Sequence, residues 1–425
     1  MVLALLMAWV GLNCAPAHAT GTAANPAKQY PITAYGAKGD GQTLNTAAIQ
    51  ATLDACAAAG GGVVVVTTGV FVSGALFLRP HVSLRIEKEG VLKGSINPDD
   101  YPQVKTRWEG IEREWTAALV NADGLTDFVI SGEGTIDGSG DEWVRQAQLQ
   151  RQANAQPIGP PRGRPRLLGL QNCQNVRVAG LRLHNQAVWC LHILYCRNVT
   201  VANLTITADH NIPSSDGIDV DSSEKVRIVG CSIDVNDDCI SIKSGKDADG
   251  LRVNRPSAHI LIEQCHFGYG HGGVAMGSET SGGIRRVRVR NCVADAGNWA
   301  PIRFKSQPSR GGVVEHITYK NMQLLGTGKA VEFNMAWRMV PPLAPPAPVL
   351  PVVRHVRLVH LWGSTTVVGD FHGLPGSPIT DVRFRRCRIR AQRGLTLEHT
   401  RRVRLAGLHM AVQDGPALVQ LSDVQ

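Results

Sequence analysis

The sequence predicts an all-β chain wound as a right-handed parallel β-helix, with a short N-terminal helix capping the solenoid. Three observations carry this. A motif of the form apolar-x-apolar-x-(Gly/Asn/Arg)-(Leu/Cys/Met) recurs from Val176, Val199, Val226, Ile260, Val287, Ile317, Val356, Val382 and Val403. Successive starts lie 21–39 residues apart, the period of a solenoid whose loops vary between coils. Each unit alternates apolar and outward residues with the strand period of two and lacks helical spacing, so leucine-rich and helical repeats fit poorly.

Taken from the N-terminus, residues 1–19 have the features of a secretory signal. An apolar run from Val2 to Leu12 precedes Ala17-His18-Ala19, a small-x-small cleavage site, although the run carries no basic flank. Residues 20–425 are expected to form one catalytic domain, exported to the periplasm or the medium. No later segment is apolar enough to span a membrane. Asn45 or Thr46 can cap a helix running to about Ala58, with Ile49, Leu53 and Cys56 on one face and Gly60-Gly61-Gly62 ending it. Val63 to Val66 reads as a buried strand. Two stretches interrupt the repeat, Gln146 to Arg166 and the proline-rich Pro341 to Pro351, and both are expected to be loops packed on the solenoid.

Composition narrows the partner. The formal charge of +9 suggests an anionic one: nucleic acid, anionic lipid or an acidic polysaccharide. Of ten cysteines, Cys14 lies in the signal and no CxxC pair exists, so zinc is not expected. The pairs Asn172-Cys173, Gly230-Cys231, Gln264-Cys265, Asn291-Cys292 and Arg386-Cys387 instead suggest a stacking position in the repeat.

Chemistry concentrates between Ser214 and Lys305. Placed in register, Asp216-Gly-Ile-Asp-Val lies over Asp238-Cys-Ile-Ser-Ile, then Gly270-His271-Gly272-Gly273-Val, then Ile302-Arg303-Phe304-Lys305. Taken singly, Asp216, Asp237 and Asp238 could be turn residues. On one patch with His271, Arg303 and Lys305 they suit glycoside hydrolysis with inversion. One carboxyl protonates the leaving oxygen while another activates water, at a separation of roughly 6.5–9.5 Å. Crowded carboxylates raise at least one pKa, which keeps an acid protonated. Arg303 and Lys305 would hold an acidic sugar's carboxylate.

With these motifs in order, the chain resembles glycoside hydrolase family 28, the polygalacturonases and their relatives. Ser214-Ser215-Asp216, Asp237-Asp238, Gly270-His271-Gly272 and Arg303-Phe304-Lys305 match, as do the opening Gly36-Ala-Lys-Gly-Asp-Gly and Gly60-Gly-Gly-Val. The resemblance implies inverting hydrolysis of α-1,4-linked galacturonate in pectin, with no cofactor and no metal. It makes Asp237 the general acid, Asp216 and Asp238 the residues that position and deprotonate water, and His271 the group that tunes the acid. Arg303 and Lys305 bind substrate, and Tyr319 corresponds to a substrate-binding tyrosine. The partner is then the acidic polysaccharide rather than nucleic acid, and a monomer is expected. Two motifs depart from the family: Asn-Thr-Asp reads Ser-Ser-Asp, and Arg-Ile-Lys reads Arg-Phe-Lys.

The insertion Lys246-Asp-Ala-Asp-Gly-Leu-Arg-Val-Asn-Arg-Pro follows the paired aspartates and could wall off the groove, which suggests exo-action. Three alternatives stay open: a rhamnogalacturonan or other pectin-backbone hydrolase, a pectate lyase using calcium and an arginine base, and a non-catalytic β-helix that binds carbohydrate. Finally, Arg177, Arg227, Arg288, Arg357, Arg383 and Arg404 occupy the outward middle position of the motif. They should form a basic ladder away from the catalytic strands, with pectin or lipopolysaccharide as a compensating anion.

Overall fold

The computed structural model describes residues 28–152, 163–338 and 344–425, so the signal expected at 1–19 lies outside them. Within them, 32 strands join in one sheet system wound as a right-handed parallel β-helix, and two more form an antiparallel hairpin.

The repeat motif is the register. Val176 pairs with Val199, Val199 with Val226, Ile260 with Val287, Val287 with Ile317, Ile317 with Val356 and Val356 with Val382. Each apolar position therefore sits on its own equivalent in the next coil, and Val287, Val289 and Ile317 are fully buried. Burying one such side chain contributes about 1.5–3 kcal/mol, and the column repeats that gain in every coil. The column also runs upstream through Phe128, which pairs with Val176.

The Gly/Asn/Arg position of the motif has a backbone cause. Gly180, Asn203, Gly230, Gln264, Asn291, Asn321, His360 and Arg386 all have φ between 53° and 79°, the left-handed region that glycine and asparagine enter at least cost. Asn321 Nδ2 donates to Asn291 Oδ1 at 2.7 Å and His360 Nδ1 lies 2.9 Å from Asn321 Oδ1, so side-chain ladders offset part of that cost. The next position turns inward, which stacks Cys231, Cys265 and Cys292 in register. Cys173 belongs to another corner, where its N–H donates to Cys196 Sγ at 3.4 Å. All nine described cysteines are free and buried.

Helix α1 spans Thr46–Ala58 and buries Ile49, Thr52, Leu53 and Cys56 over the first coil. Its cap differs from expectation. Asn45 turns away to donate to Lys38 O and Thr43 O, and Thr46 Oγ1 accepts from Gly74 N at 2.7 Å. The stretch from Gln146 is not all loop either, because helix α2 covers Gly140–Gln152. Within the rest of that insertion, 153–162 are outside the described residues, as are 339–343. Ala347 N donates to Pro308 O at 2.9 Å, so the proline-rich segment does pack on the solenoid.

Candidate active site

Four consecutive strands build the site: Ile218–Asp221, Asp238–Lys243, Gly270–Met276 and Asn298–Lys305. Their register is the expected one, with Ile218 on Ile240, Ile240 on Val274 and Val274 on Ile302. Phe304 turns inward from the last strand and stacks on Phe333 at 4.2 Å between ring centroids. The change from Ile to Phe in the Arg-Phe-Lys motif is therefore a core feature, and Arg303 and Lys305 on either side of it face the cleft.

Asp216, Asp237 and Asp238 each place a carboxylate oxygen within 4.8 Å of the others. That is tighter than the separation expected for inversion. Asp216 and Asp238 begin adjacent coils, whose strands lie about 4.8 Å apart, and Asp237 directly precedes Asp238. Gly217 N donates to Asp238 O at 3.0 Å and His271 N to Asp237 O at 3.0 Å, which fixes the three backbones. Gly272 gives the carboxylate room: a Cβ there would lie 2.7 Å from Asp238 Oδ1.

Cations surround the three acids. Lys305 Nζ lies 2.6 Å from Asp238 Oδ2, and Arg303 Nη1 lies 3.4 Å from Asp238 Oδ1. Arg303 Nε donates to Glu332 at 2.7 Å, and its Nη2 has no partner among the described residues. His271 Nδ1 is 3.3 Å from Asp237 Oδ1. Lys243 reaches Asp219 at 3.5 Å, Glu279 at 3.7 Å and Asp216 at 3.9 Å. Burial pushes the Asp216 carboxyl up, and the neighbouring Asp219 and Asp237 charges add to that. Burial also raises Asp237, but the His271 hydrogen bond and the Lys305 charge outweigh it and hold Asp237 below the usual carboxylate range. The Asp237 hydrogen bond in turn raises His271. The two shifts have opposite signs: burial favours the protonated form of Asp216, and the His271 and Lys305 contacts favour the ionised form of the more accessible Asp237.

The cleft encloses about 510 Å³ and is lined by Ser214, Asp216, Asp237, Lys243, His271, Arg303 and Lys305. Sequence reasoning missed Lys243 and the rest of the lining, Glu109, Trp189, Ser278, Glu279, Trp299 and Trp337. Trp299 is 49% exposed. Arg303 lies 4.8 Å from the Trp337 ring centroid and Lys243 4.4 Å from that of Trp189. Tyr319 is a correction. It is fully buried, its hydroxyl donates to Val274 O at 2.9 Å, and it packs edge-on against Phe304 inside the coil, out of reach of a ligand in the cleft.

The end wall also differs from the expected loop. Residues Asp247–Val253 form helix α3, and the wall itself is the hairpin Gln103–Trp108 and Ile111–Thr116, whose tip carries Glu109 into the cleft. Helix α3 buttresses it. Lys246 N donates to Gly110 O at 2.9 Å, Glu112 N donates to Asp249 at 2.9 Å, and Arg252 pairs with Glu112 at 2.6 Å. Trp108 stacks on Trp115 at 4.6 Å and leans on Trp189 at 4.8 Å. No described helix is long and apolar enough to cross a membrane.

Comparison with known proteins agrees with this arrangement. The sequence model described as "Glycosyl hydrolases family 28" matches residues 64–353. A "Probable polygalacturonase" of Vitis vinifera is 33% identical over 68% of this chain and 59% of its own length. An "Exo-poly-alpha-D-galacturonosidase" of Dickeya chrysanthemi is 30% identical over 73% of this chain and 57% of its own. The chain thus spans less than two thirds of these curated relatives. Among solved structures, a hyperthermoactive exopolygalacturonase of Thermotoga maritima superposes with a TM-score of 0.77 at 27% identity, covering 91% of this chain and 92% of that one. The chain belongs to glycosyl hydrolase family 28.

Proposed function

We propose that this protein hydrolyses α-1,4-galacturonosidic linkages in polygalacturonate from a chain end, with inversion. The reading rests on one observation above the others: three carboxylates within 4.8 Å of one another in a cleft whose walls also carry His271, Lys243, Arg303 and Lys305. Most of these cations are matched by the cleft's own carboxylates, so an acidic sugar is read from the donor edge that is left over. The free Nη2 edge of Arg303 is suited to a uronate carboxylate, and the exposed ring of Trp299 to the apolar face of a sugar.

Asp237 is the general acid in this reading, since it is the most exposed of the three acids. It must gain a proton although its contacts in the free protein favour the ionised form. A bound uronate does this by excluding water from Asp237 and by drawing the Lys305 charge toward its own carboxylate, both of which raise Asp237. Asp216 and Asp238 then hold and deprotonate the attacking water, while His271 tunes the donor through its hydrogen bond. Inversion is taken from the family resemblance, because the carboxylate spacing does not specify it. The hairpin beside the cleft and the names of two relatives support exo-action. Residues 20–425 would act as one exported catalytic domain.

A digestion panel of defined galacturonate and rhamnogalacturonan oligosaccharides tests this reading. Early release of mono- or disaccharide from galacturonate chains is expected. Mid-sized oligomers at early times would exclude exo-action, unsaturated products would indicate a lyase, and cleavage confined to rhamnogalacturonan would move the substrate.

A further inference from the structure

A groove larger than the cleft opens on another face of the coils. It encloses about 610 Å³ on the sheet formed by Ser257–Glu263, Ile284–Asp295, Val313–Asn334, Val352–His372 and Ile379–Arg385. These are the same coils that carry or follow the cleft strands, seen from another face. Two columns of side chains line it. The strand column runs Leu261, Arg288, Thr318, Arg357, Arg383. The second column lies two residues earlier on each strand, at left-handed backbone positions: His259, Arg286, His316, His355 and Asp381 have φ between 52° and 58°.

The expected ladder is therefore interrupted, since Thr200, Leu261 and Thr318 alternate with arginines from Arg177 to Arg357. What matters is which cations are already neutralised. Arg227 pairs with Glu263 at 2.9 Å and Arg383 with Asp381 at 2.8 Å. His355 takes the other oxygen of Asp381 at 2.7 Å. Arg286 donates to the ring nitrogen of His259 at 3.1 Å, which compensates no charge. Among the described residues, no carboxylate lies within ion-pair distance of Arg286, Arg288 or Arg357. Three uncompensated guanidinium groups thus face one concave surface.

We infer that this groove is a second binding site, for a polyuronate chain held without being cleaved. Five coils at strand spacing make a run of about 19 Å, a length that suits a polymer better than a small anion. Arg288 and Arg357 stand two coils apart, and guanidinium forks match carboxylates. No Phe, Tyr or Trp lines the groove, whereas grooves that hold single-stranded nucleic acid combine cations with aromatic stacking platforms. The choice of a uronate rests on the proposed activity. The site would hold the enzyme on its polymer while the cleft works on a chain end.

The test is retention of the full chain on immobilised polygalacturonate, in an Asp237→Asn background so that the bait survives. Arg286→Gln/Arg288→Gln/Arg357→Gln should weaken retention roughly three- to hundredfold, the product of three exposed ion pairs. In the otherwise native enzyme the same triple change should leave kcat on trigalacturonate unaltered, and the matching Lys variant should recover part of the retention. Unchanged retention, or single-stranded DNA held as tightly as polygalacturonate, would overturn the inference. Weakened retention in a protein that turns over no galacturonate would support the groove and reject the proposed activity, so the two readings fail separately.

Discussion

Two faces of the same coils carry cations, and they use them differently. In the cleft, Lys243, Arg303 and Lys305 are 5–7% exposed and each is closed by carboxylates at 2.6–3.9 Å. In the groove, Arg286, Arg288 and Arg357 are exposed, and among the described residues no carboxylate comes within ion-pair distance of them. The repeat supplies both, since outward positions recur once per coil on every face. Burial separates them. A charge out of water must be matched inside the protein and so sets pKa values, whereas a charge in water is left over for a partner. The first arrangement suits chemistry and the second suits adhesion.

The largest effect should come from the cleft. Asp237→Asn removes the proposed donor while keeping shape, and kcat should fall about 10²–10⁴-fold, the range for one general acid, with thermal unfolding almost unchanged. Next, Lys305→Met removes the shortest ion pair to a buried Asp238. An uncompensated buried carboxylate costs about 3–5 kcal/mol, and Arg303 offsets part of that. Denaturant unfolding should show a loss toward the lower end of this range, together with lost activity. A loss no greater than that of a groove arginine would break the contrast between the faces.

The cleft should also respond to pH through its buried carboxyls. Burial pushes Asp219 up to about 7 from 3.8, with Lys243 opposing. A carboxyl raised on folding binds more protons in the native state, so its contribution to stability is present below pH 3.8 and is lost as pH rises toward 7. Asp237 has the opposite sign: it is lowered on folding, so its contribution is present at neutral pH and lost on acidification. Asp219→Asn should flatten the decline in stability between about pH 4 and 7. An unaltered pH profile would show that Lys243 already keeps Asp219 ionised.

Much of this was legible in the sequence, because a parallel β-helix writes its register as a repeat. Eight of the nine motif starts fall on successive strands in order, five of them on the groove sheet, and the four motifs of the candidate site share one patch. The same register argued against Tyr319. Its motif, Ile317-Thr318-Tyr319, puts the tyrosine in the inward position over Val289, where packing outweighs any likeness to a binding residue. Lys243 was readable as an outward residue two positions beyond Ser241. Glu109 and Trp337 were not, since a distant hairpin tip and a single loop residue have no period, while Trp299 shares the strand of Arg303 and was overlooked. The carboxylate spacing was misjudged for a related reason: a shared register position fixes neighbours at strand spacing, which is shorter than expected.

Smaller effects sharpen the correction. Tyr319→Phe leaves Val274 O without its partner and should cost about 1–3 kcal/mol of stability while leaving KM on oligogalacturonate unchanged. A raised KM with unchanged stability would return Tyr319 to the binding site. The groove triple variant should be smallest of all in stability, within about 0.5 kcal/mol of the parent.

The most direct test of the central claim, that the three aspartates of the cleft carry out a single inverting displacement on α-linked galacturonate, is time-resolved proton NMR of a trigalacturonate digest. The account predicts that the β-anomer of the newly formed reducing end appears first and mutarotates later, and that Asp237→Asn gives no signal over the same period. An α-anomer appearing first, or wild-type rates in Asp237→Asn, would contradict it.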